Sequence, residues 1–366
     1  MTNGTDFATN ETVNSQQDFI SIWMKIIICI LLCITMCIAI VGNTITCVIV
    51  YRKTVMRTAK NLLLTNIALS DIVLSCTVMP FLIFKTVFPE RLVDLRLCVS
   101  ISMIKDVLVA VSTFTLMIIS ADRFLIVVHK KDRLTVPVSK LCITGTWAVA
   151  ILFTMVQLES NSREAILHDL LFCYQHAPSS RIAVIYTVTF VTLTFIIPLA
   201  VMFYLFATIL RTVQLICKKV HIHTGSNLNI AVTQYSSKIG LPPVATRYTF
   251  MGDFEAKRRA FGTIFLLFIT LFICWVSYMS ERIFRNTGSN EHTSGDLIVE
   301  LIFISIGFMK SALYPVIFCA RNRRFRSACG RIFTIKLCLF TKCVVLKSRR
   351  IRPRNLYVCP ESVGHL

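Results

Sequence analysis

Charged residues are scarce in this chain of 366 residues, of which 16% are charged and 55% are hydrophobic. Soluble domains carry closer to a quarter charged residues, so too little polar surface is present to coat a water-soluble globule. Acidic residues are the rarest class, with 19 Asp and Glu against 39 Lys and Arg. The composition therefore excludes an ordinary soluble domain and indicates a membrane protein.

Lysine and arginine are absent before Trp23 but abundant in the first, third and fifth connections and beyond Arg321. Basic residues beside membrane spans stay cytoplasmic, so this pattern predicts a plasma-membrane protein with an extracellular N-terminus and a cytoplasmic C-terminus. It also explains the net charge of +20 without nucleic acid as a partner. Asn3 and Asn10 each begin an Asn-x-Thr glycosylation sequence in the predicted extracellular segment.

Long apolar runs divide the chain. A helix needs about 20 apolar residues to cross a bilayer, and an open sheet edge is not tolerated in hydrocarbon. Seven runs are long enough: Ile22–Tyr51, Lys60–Phe84, Cys98–His129, Ser139–Leu158, Ile182–Thr212, Arg259–Phe284 and Leu297–Cys319. The sequence therefore predicts an all-α membrane protein, with an extracellular N-terminus (1–21), a seven-helix transmembrane bundle (22–319) and a cytoplasmic basic tail (320–366).

Most of the 15 cysteines lie inside predicted spans. Cys98 and Cys173 instead fall on the predicted extracellular side, where oxidising conditions favour a disulfide bond between them. Cys329, Cys338 and Cys343 flank the basic tail and are candidate acylation sites. The segment Arg321–Phe333 has apolar residues at helical spacing between arginines, which predicts a short amphipathic helix lying against membrane lipid.

Each predicted span carries a short motif, and the motifs follow one another in a fixed order. They are Gly42-Asn43, Asn61–Asp71, Asp122-Arg123-Phe124, Trp147, Pro198, Cys274-Trp275 and Pro315. With the spacing from Cys98 to Arg123, they resemble the markers of rhodopsin-like G-protein-coupled receptors. The resemblance covers about residues 22–333 and implies a receptor that transmits an extracellular signal to heterotrimeric G proteins.

Two further segments carry a closer resemblance. Asp122–Val128 followed by Asp132–Leu134, and the tail segment Arg350–Cys359, resemble the orphan receptors numbered forty-five and sixty-three. The tail lies outside the predicted membrane core, so hydrophobicity does not force its similarity. The sequence shows no metal cluster, phosphate loop or nucleophile–base arrangement, so neither enzymatic activity nor a cofactor is expected.

The resemblance implies a G-protein-coupling face at the cytoplasmic end of the third helix. In the resting family state Asp122 holds Arg123, and on activation the sixth helix swings out and Arg123 meets the G protein. Phe124 stands where Tyr is usual, and Lys257 and Arg258 begin the sixth helix on the same face. The alternative is that Arg123 is only an interfacial side chain that extends to the headgroups.

An ionisable residue inside a span is a functional candidate, and Asp71 is one. The resemblance implies a sodium ion at Asp71, with Ser112 as its partner. Lys310 is predicted at a similar depth, so its ammonium could neutralise Asp71 and replace the sodium; otherwise Lys310 faces elsewhere. The predicted switch core comprises Asn43, Asp71, Ser112, Trp275, Lys310, Tyr314, Pro315 and Phe318.

Several switch positions depart from the family pattern. The seventh-helix motif is Tyr314-Pro315-Val316-Ile317-Phe318 in place of Asn-Pro-x-x-Tyr. Phe206 replaces the usual Tyr, Leu271 the usual Phe, and Ser277 the Pro that kinks the sixth helix. A helix without that Pro is expected to be straighter and harder to pivot. These departures are compatible with constitutive, weak or absent signalling. If signalling is absent, the chain would act as a non-signalling or heteromeric partner protein.

Candidate ligand contacts lie in the outer halves of the helices: Lys105, Asp106, Tyr278, Glu281, Arg282 and Glu300. Lys105 and Arg282 in an apolar cavity would suit an anionic lipid. If Lys105 pairs with Glu300 instead, the remaining possibilities are a peptide ligand and no natural ligand. Asp106 follows Lys105 by one residue, about 100° around the helix, and is expected to point partly away.

Two other classes of membrane protein are disfavoured. A retinal-binding photoreceptor needs a lysine at the position of Phe308. A transporter would be expected to show internal repeats or broken helices at matched positions, and the sequence shows neither. Oligomerisation is left open.

Overall fold

The computed structural model describes residues 5–88, 93–161, 185, 188–223, 261–280, 294–322, 325–327 and 329–330, with side-chain environments from residue 22 onward. Seven of its helices are long and apolar enough to cross a membrane: Ile22–Arg52, Ala59–Val87, Arg96–Val127, Val136–Met155, Val188–Leu215, Phe261–Ser280 and Ile298–Arg321. The prediction of an all-α, seven-helix membrane protein is confirmed.

The seven helices are labelled α1 to α7 in chain order. Their bounds are α1 Thr5–Arg52, α2 Ala59–Val87, α3 Leu95–Val127, α4 Val136–Asn161, α5 Ile197–His223, α6 Phe261–Ser280 and α7 Ser294–Arg321. A widened π-type turn, Thr192–Ile196, leads into α5. Helix α2 ends three residues beyond its predicted end at Phe84, so Lys85 belongs to the helix.

Side chains that cap the helices fix where α2 and α3 begin. The Thr58 hydroxyl accepts a hydrogen bond from the backbone N–H of Asn61, and the Asp94 carboxylate accepts one from the backbone N–H of Arg96. Each cap satisfies a backbone donor that has no partner within its own helix.

Helix α3 is the most enclosed element, since 61% of its span is buried, against 17% for α1 and for α4. It packs against α2, α4 and α5, while α1 packs against α2 and α7. The apolar side chains that α1 and α4 leave exposed would lie against lipid tails. The buried polar groups therefore concentrate where α2, α3 and α7 face one another.

Asn66 on α2 joins three helices through its side-chain amide. Its Nδ2 donates to Thr115 Oγ1 of α3 at 2.9 Å, and its Oδ1 accepts from Trp147 Nε1 of α4 at 2.9 Å. Polar bonds of this kind hold helices together where hydrocarbon offers no other partner.

Helices α1 and α7 approach closely at Gly42. A Cβ atom on Gly42 would lie 2.7 Å from Cβ and Cγ of Pro315, so only glycine permits this approach. The contact fixes α7 beside α1 at the depth of the buried polar core.

The predicted amphipathic helix after α7 is compatible with the structure, because residues 325–327 and 329–330 are helical. Phe325 is fully buried, with its ring centroid 4.8 Å from that of Phe318, whereas Arg326 is exposed. The segment thus turns an apolar side toward the end of α7.

Candidate functional site

A buried ion pair joins α2 to α7 in the middle of the bundle. Lys310 Nζ lies 2.8 Å from Asp71 Oδ1, and each side chain is only 1% exposed. The Ser311 hydroxyl donates to the same Asp71 oxygen at 2.9 Å. The Lys310 ammonium also lies 5.1 Å from the centre of the Tyr314 ring, a cation–π distance.

The serine expected to assist a sodium ion has another partner. Ser112 Oγ lies 2.9 Å from Ser70 Oγ. Asn43 Nδ2 donates to the backbone oxygens of Ala39 and Ser311, both at 2.9 Å, and so ties α1 to α7 beside the ion pair. The lysine ammonium thus occupies the place of a bound cation at Asp71.

Sodium is therefore expected to leave the protein unaffected. A second cation at Asp71 would meet the Lys310 ammonium at close range, and two like charges in a low-dielectric site repel strongly. We expect the same melting temperature and signalling when sodium chloride is replaced by N-methylglucamine chloride at equal ionic strength. A sodium-dependent shift in either quantity would contradict the assignment.

A hydrogen bond crosses from α7 to α6 one turn from the ion pair. The Tyr314 hydroxyl donates to the backbone oxygen of Leu267 at 3.0 Å, and Tyr314 is 5% exposed. The second oxygen of Asp71, Oδ2, is buried without a hydrogen-bond partner among the described residues. Tyr314 therefore fastens α6 to the polar core.

At the other positions that depart from the family pattern, apolar side chains pack against one another. Phe206 of α5 packs against three rings of α6, with centroid distances of 5.7, 5.4 and 5.0 Å to Phe261, Phe265 and Phe268. Leu271 is fully buried, and α6 continues as helix through Ser277. Aromatic contacts thus join α5 and α6.

Trp275 lies between the polar core and the outer half of the bundle. It is fully buried, and its ring meets Tyr278 and Phe308 edge-on at 5.6 and 6.0 Å. Its indole Nε1 has no hydrogen-bond partner within the described parts of the chain. Motion of either neighbouring ring would be transmitted to Trp275.

Lys105 is fully buried in the outer half of α3. Its Nζ donates to Tyr278 Oη at 2.5 Å and lies 3.7 Å from Asp106 Oδ1. The two charges come together although the residues lie about 100° apart around the helix, because the long lysine stem can turn back toward its neighbour. Glu300 is also buried, at 4% exposed, whereas the candidates Glu281 and Arg282 lie outside the described residues.

The end of α3 far from Lys105 holds the third charged pair. Arg123 Nε donates to Asp122 Oδ2 at 2.9 Å, and the Arg123 side chain is 18% exposed against 4% for Asp122. The pair borders a cavity of about 330 Å³ whose other lining residues are Val55, Met56, Thr58, Ala59, Lys60, Asn61, Asp132, Leu134 and Asn322. Phe124 packs edge-on against His129, with ring centroids 5.3 Å apart.

The side chains of several predicted site residues lie outside the described part of the chain: Asn3, Asn10, Cys173, Lys257, Arg258, Cys338 and Cys343. Cys98 is disulfide-bonded, but its pairing with Cys173 stays a prediction. Cys329 is 8% exposed, and its sulfur lies 3.3 Å from that of Cys319. An acyl chain on Cys329 would require this contact to open.

Sequence reasoning missed three features that the structure brings into view. Lys85 is buried, but the predicted second span ended one residue before it. Lys60 was counted as a topology signal, yet it lines the cavity beside Asp122 and Arg123. The Leu267 carbonyl is a backbone group, and no residue pattern could single it out as the partner of Tyr314.

Comparison with known proteins agrees with this geometry. A family model described as "7 transmembrane receptor (rhodopsin family)" matches residues 42–318. The high-affinity lysophosphatidic acid receptor of Xenopus laevis is 31% identical over 332 residues, 88% of this chain and 86% of that receptor. The human probable G-protein coupled receptor 45 is 29% identical over 337 residues, 88% and 86% of the two chains. The mouse probable G-protein coupled receptor 63 is 27% identical over 345 residues, 93% and 80%. The predicted kinship with receptors forty-five and sixty-three is confirmed.

Proposed function

The chain belongs to the rhodopsin-like family of seven-transmembrane receptors, and from that premise we propose that it couples an extracellular anionic lipid to heterotrimeric G proteins. Members of this family are receptors rather than enzymes, and they are multi-pass proteins of the plasma membrane. Its N-terminus is proposed to be extracellular, as the distribution of basic residues indicates.

The observation that carries the coupling proposal is the Asp122–Arg123 pair beside the cytoplasmic cavity. An arginine in this position can exchange one anionic partner for backbone oxygens of an inserted helix, because guanidinium has five donors in a fixed fork. The cavity of about 330 Å³ lies directly beside this pair, between the start of α2, the end of α3 and Asn322. The described pair corresponds to the resting arrangement, in which Asp122 holds Arg123.

The resting state has its own restraints in this chain. The Tyr314–Leu267 hydrogen bond and the aromatic contacts of Phe206 both hold α6 inward. These contacts support a receptor with low basal activity that is opened by ligand. The loss of the family's usual groups at Phe318 and Ser277 supports the alternative, a non-signalling or heteromeric partner.

The ligand proposal rests on two considerations. A relative of similar length is named for lysophosphatidic acid, a lipid with an anionic phosphate headgroup. The outer half of this chain encloses lysine side chains among apolar and aromatic residues, the combination that suits a charged headgroup with an acyl tail. Among the described residues Lys105 already has Asp106 as counter-ion, so another cation is needed for the headgroup.

Reporters of G-protein dissociation for each Gα class, in cells expressing the chain, test this proposal. We expect a response to a lysophospholipid with a phosphate headgroup, none to the monoacylglycerol that lacks the phosphate, and loss of the response in Arg123→Ala. Arg326→Ala is the matched control, since it removes an exposed arginine outside the cavity. A silent wild type at normal surface expression would favour the partner role.

A further inference from the structure

One buried lysine near the outer end of α2 differs from the other buried lysines of the described chain. Lys85 is 7% exposed, and no hydrogen-bond acceptor or carboxylate of the described residues pairs with it. Lys105 has Asp106 at 3.7 Å, and Lys310 has Asp71 at 2.8 Å. Lys85 Nζ is not among the fully enclosed atoms that lack a partner, so the stem of Lys85 is buried while its ammonium can be reached and has no counter-ion among these residues.

Lys85 lies on the face of α2 that points into the bundle. It follows Asp71 by 14 residues, which at 3.6 residues per turn brings it within about 40° of the same direction. Leu74, Val78 and Leu82 continue this face between them, and all three are buried. Pro80 lies within the helix, yet Leu82 and Lys85 beyond it remain on the enclosed side.

The depth of Lys85 follows from the contact between Ser70 and Ser112, which sets α2 and α3 at one level. Lys85 is 15 residues beyond Ser70, or about 22 Å, and Lys105 is seven residues from Ser112, or about 10 Å in the same direction. Lys85 thus lies roughly 12 Å nearer than Lys105 to the end of the bundle that is opposite Asp122 and Arg123.

An ammonium that is partly withdrawn from water and has no counter-ion attracts an arriving anion strongly, because the effective dielectric constant beside the protein is low. A phosphate headgroup offers charge and several acceptor oxygens, so it makes strong charge-assisted hydrogen bonds. We propose that Lys85, rather than Lys105, is the lysine that binds the anionic headgroup of the ligand. The lipid part of this inference rests on the proposed function.

An apolar surface at the same end of α2 favours a lipid phosphate over free phosphate. The rings of Phe84 and Phe88 lie 5.5 Å apart on either side of Lys85 in sequence, and both are exposed. An acyl chain attached to a phosphate at Lys85 would find these rings within reach. Free phosphate would gain nothing from them.

The first measurement is the potency of a phosphate-bearing lysophospholipid in the G-protein dissociation assay. Lys85→Gln is expected to lower potency about 10- to 100-fold, as for loss of a charge-assisted hydrogen bond. Lys85→Arg is expected to retain most of it. The control is Lys25→Gln, the same change at a half-buried lysine near the start of the first membrane span, Ile22–Arg52. Equal potency of Lys85→Gln and wild type would overturn the inference and leave the proposed function standing.

The second measurement does not depend on the lipid. The melting temperature of purified full-length receptor is recorded with glycerol phosphate, a soluble headgroup, and with glycerol as control. We expect glycerol phosphate to stabilise wild type and Lys85→Arg but not Lys85→Gln. If lipid is inactive but this pattern holds, the lipid ligand is wrong and the anion site stands. If glycerol phosphate stabilises no variant and the lipid is inactive, both proposals fail.

Discussion

Replacing Lys310 with methionine is expected to lower the stability of the purified receptor by about 3–5 kcal/mol, the usual cost of removing one partner of a buried ion pair. Methionine matches the length and apolar stem of lysine but removes the ammonium, so Asp71 is left as a buried carboxylate with only Ser311 as a described donor. The measurement is the melting temperature and surface expression of the variant. Lys140→Met, the same change at an exposed lysine, serves as control.

The Lys310→Met variant is also expected to gain a response to sodium. Once the ammonium is gone, the oxygens of Asp71 and Ser311 are available to a hard cation. Sodium should then raise the melting temperature of this variant, although it does not affect wild type. The double variant Asp71→Asn with Lys310→Met should recover most of the stability and lose the sodium response. A single variant as stable as wild type would show that the two charges do not depend on each other.

Tyr314→Phe is expected to raise basal G-protein signalling about two- to tenfold. The substitution removes one hydroxyl, and with it the hydrogen bond that connects α7 to the Leu267 carbonyl of α6. Such a bond contributes about 0.5–1.5 kcal/mol, and 1.4 kcal/mol shifts an equilibrium tenfold. Because the bond exists only while α6 is inward, its loss shifts the population toward the open state.

Basal signalling at matched surface expression checks this expectation, with Tyr204→Phe as the control. Tyr204 is 65% exposed on α5, so the same loss of a hydroxyl there should leave the basal signal unchanged. A fall in the basal signal of Tyr314→Phe would mean that the hydroxyl serves the open state instead. The unpartnered Asp71 Oδ2 would then be its natural acceptor after α6 moves.

The sequence predicted the architecture because a bilayer leaves few choices. Long apolar runs in a bilayer must be helices, so the seven predicted spans agree with the structure within a few residues. The pairing of Lys310 with Asp71 could be predicted for a similar reason, since motifs on their helices fix the depth of both residues in the membrane. Depth along a helix is a one-dimensional quantity that sequence encodes well.

Contacts that depend on direction or on backbone groups were beyond reach. The contact between Lys105 and Asp106 depends on the flexible lysine stem, whose direction cannot be calculated from helical angles alone. The acceptor of Tyr314 is a carbonyl, and every residue of α6 has one. Lys85 was missed because a charged residue at the end of an apolar run is usually taken as the end of the span, although here the helix continues to Val87.

The cation beside Asp71 is the Lys310 side chain and is therefore covalently part of the receptor. This has a consequence for where the receptor can work. A cation taken from the medium follows the composition of that medium, which differs between extracellular fluid and the lumen of an internal vesicle. The Lys310 ammonium, 2.8 Å from Asp71, is carried by the chain itself and therefore accompanies the protein wherever it is moved. The balance between its inactive and active forms is thus expected to survive internalisation, so a response begun at the cell surface can continue unaltered from an endosome.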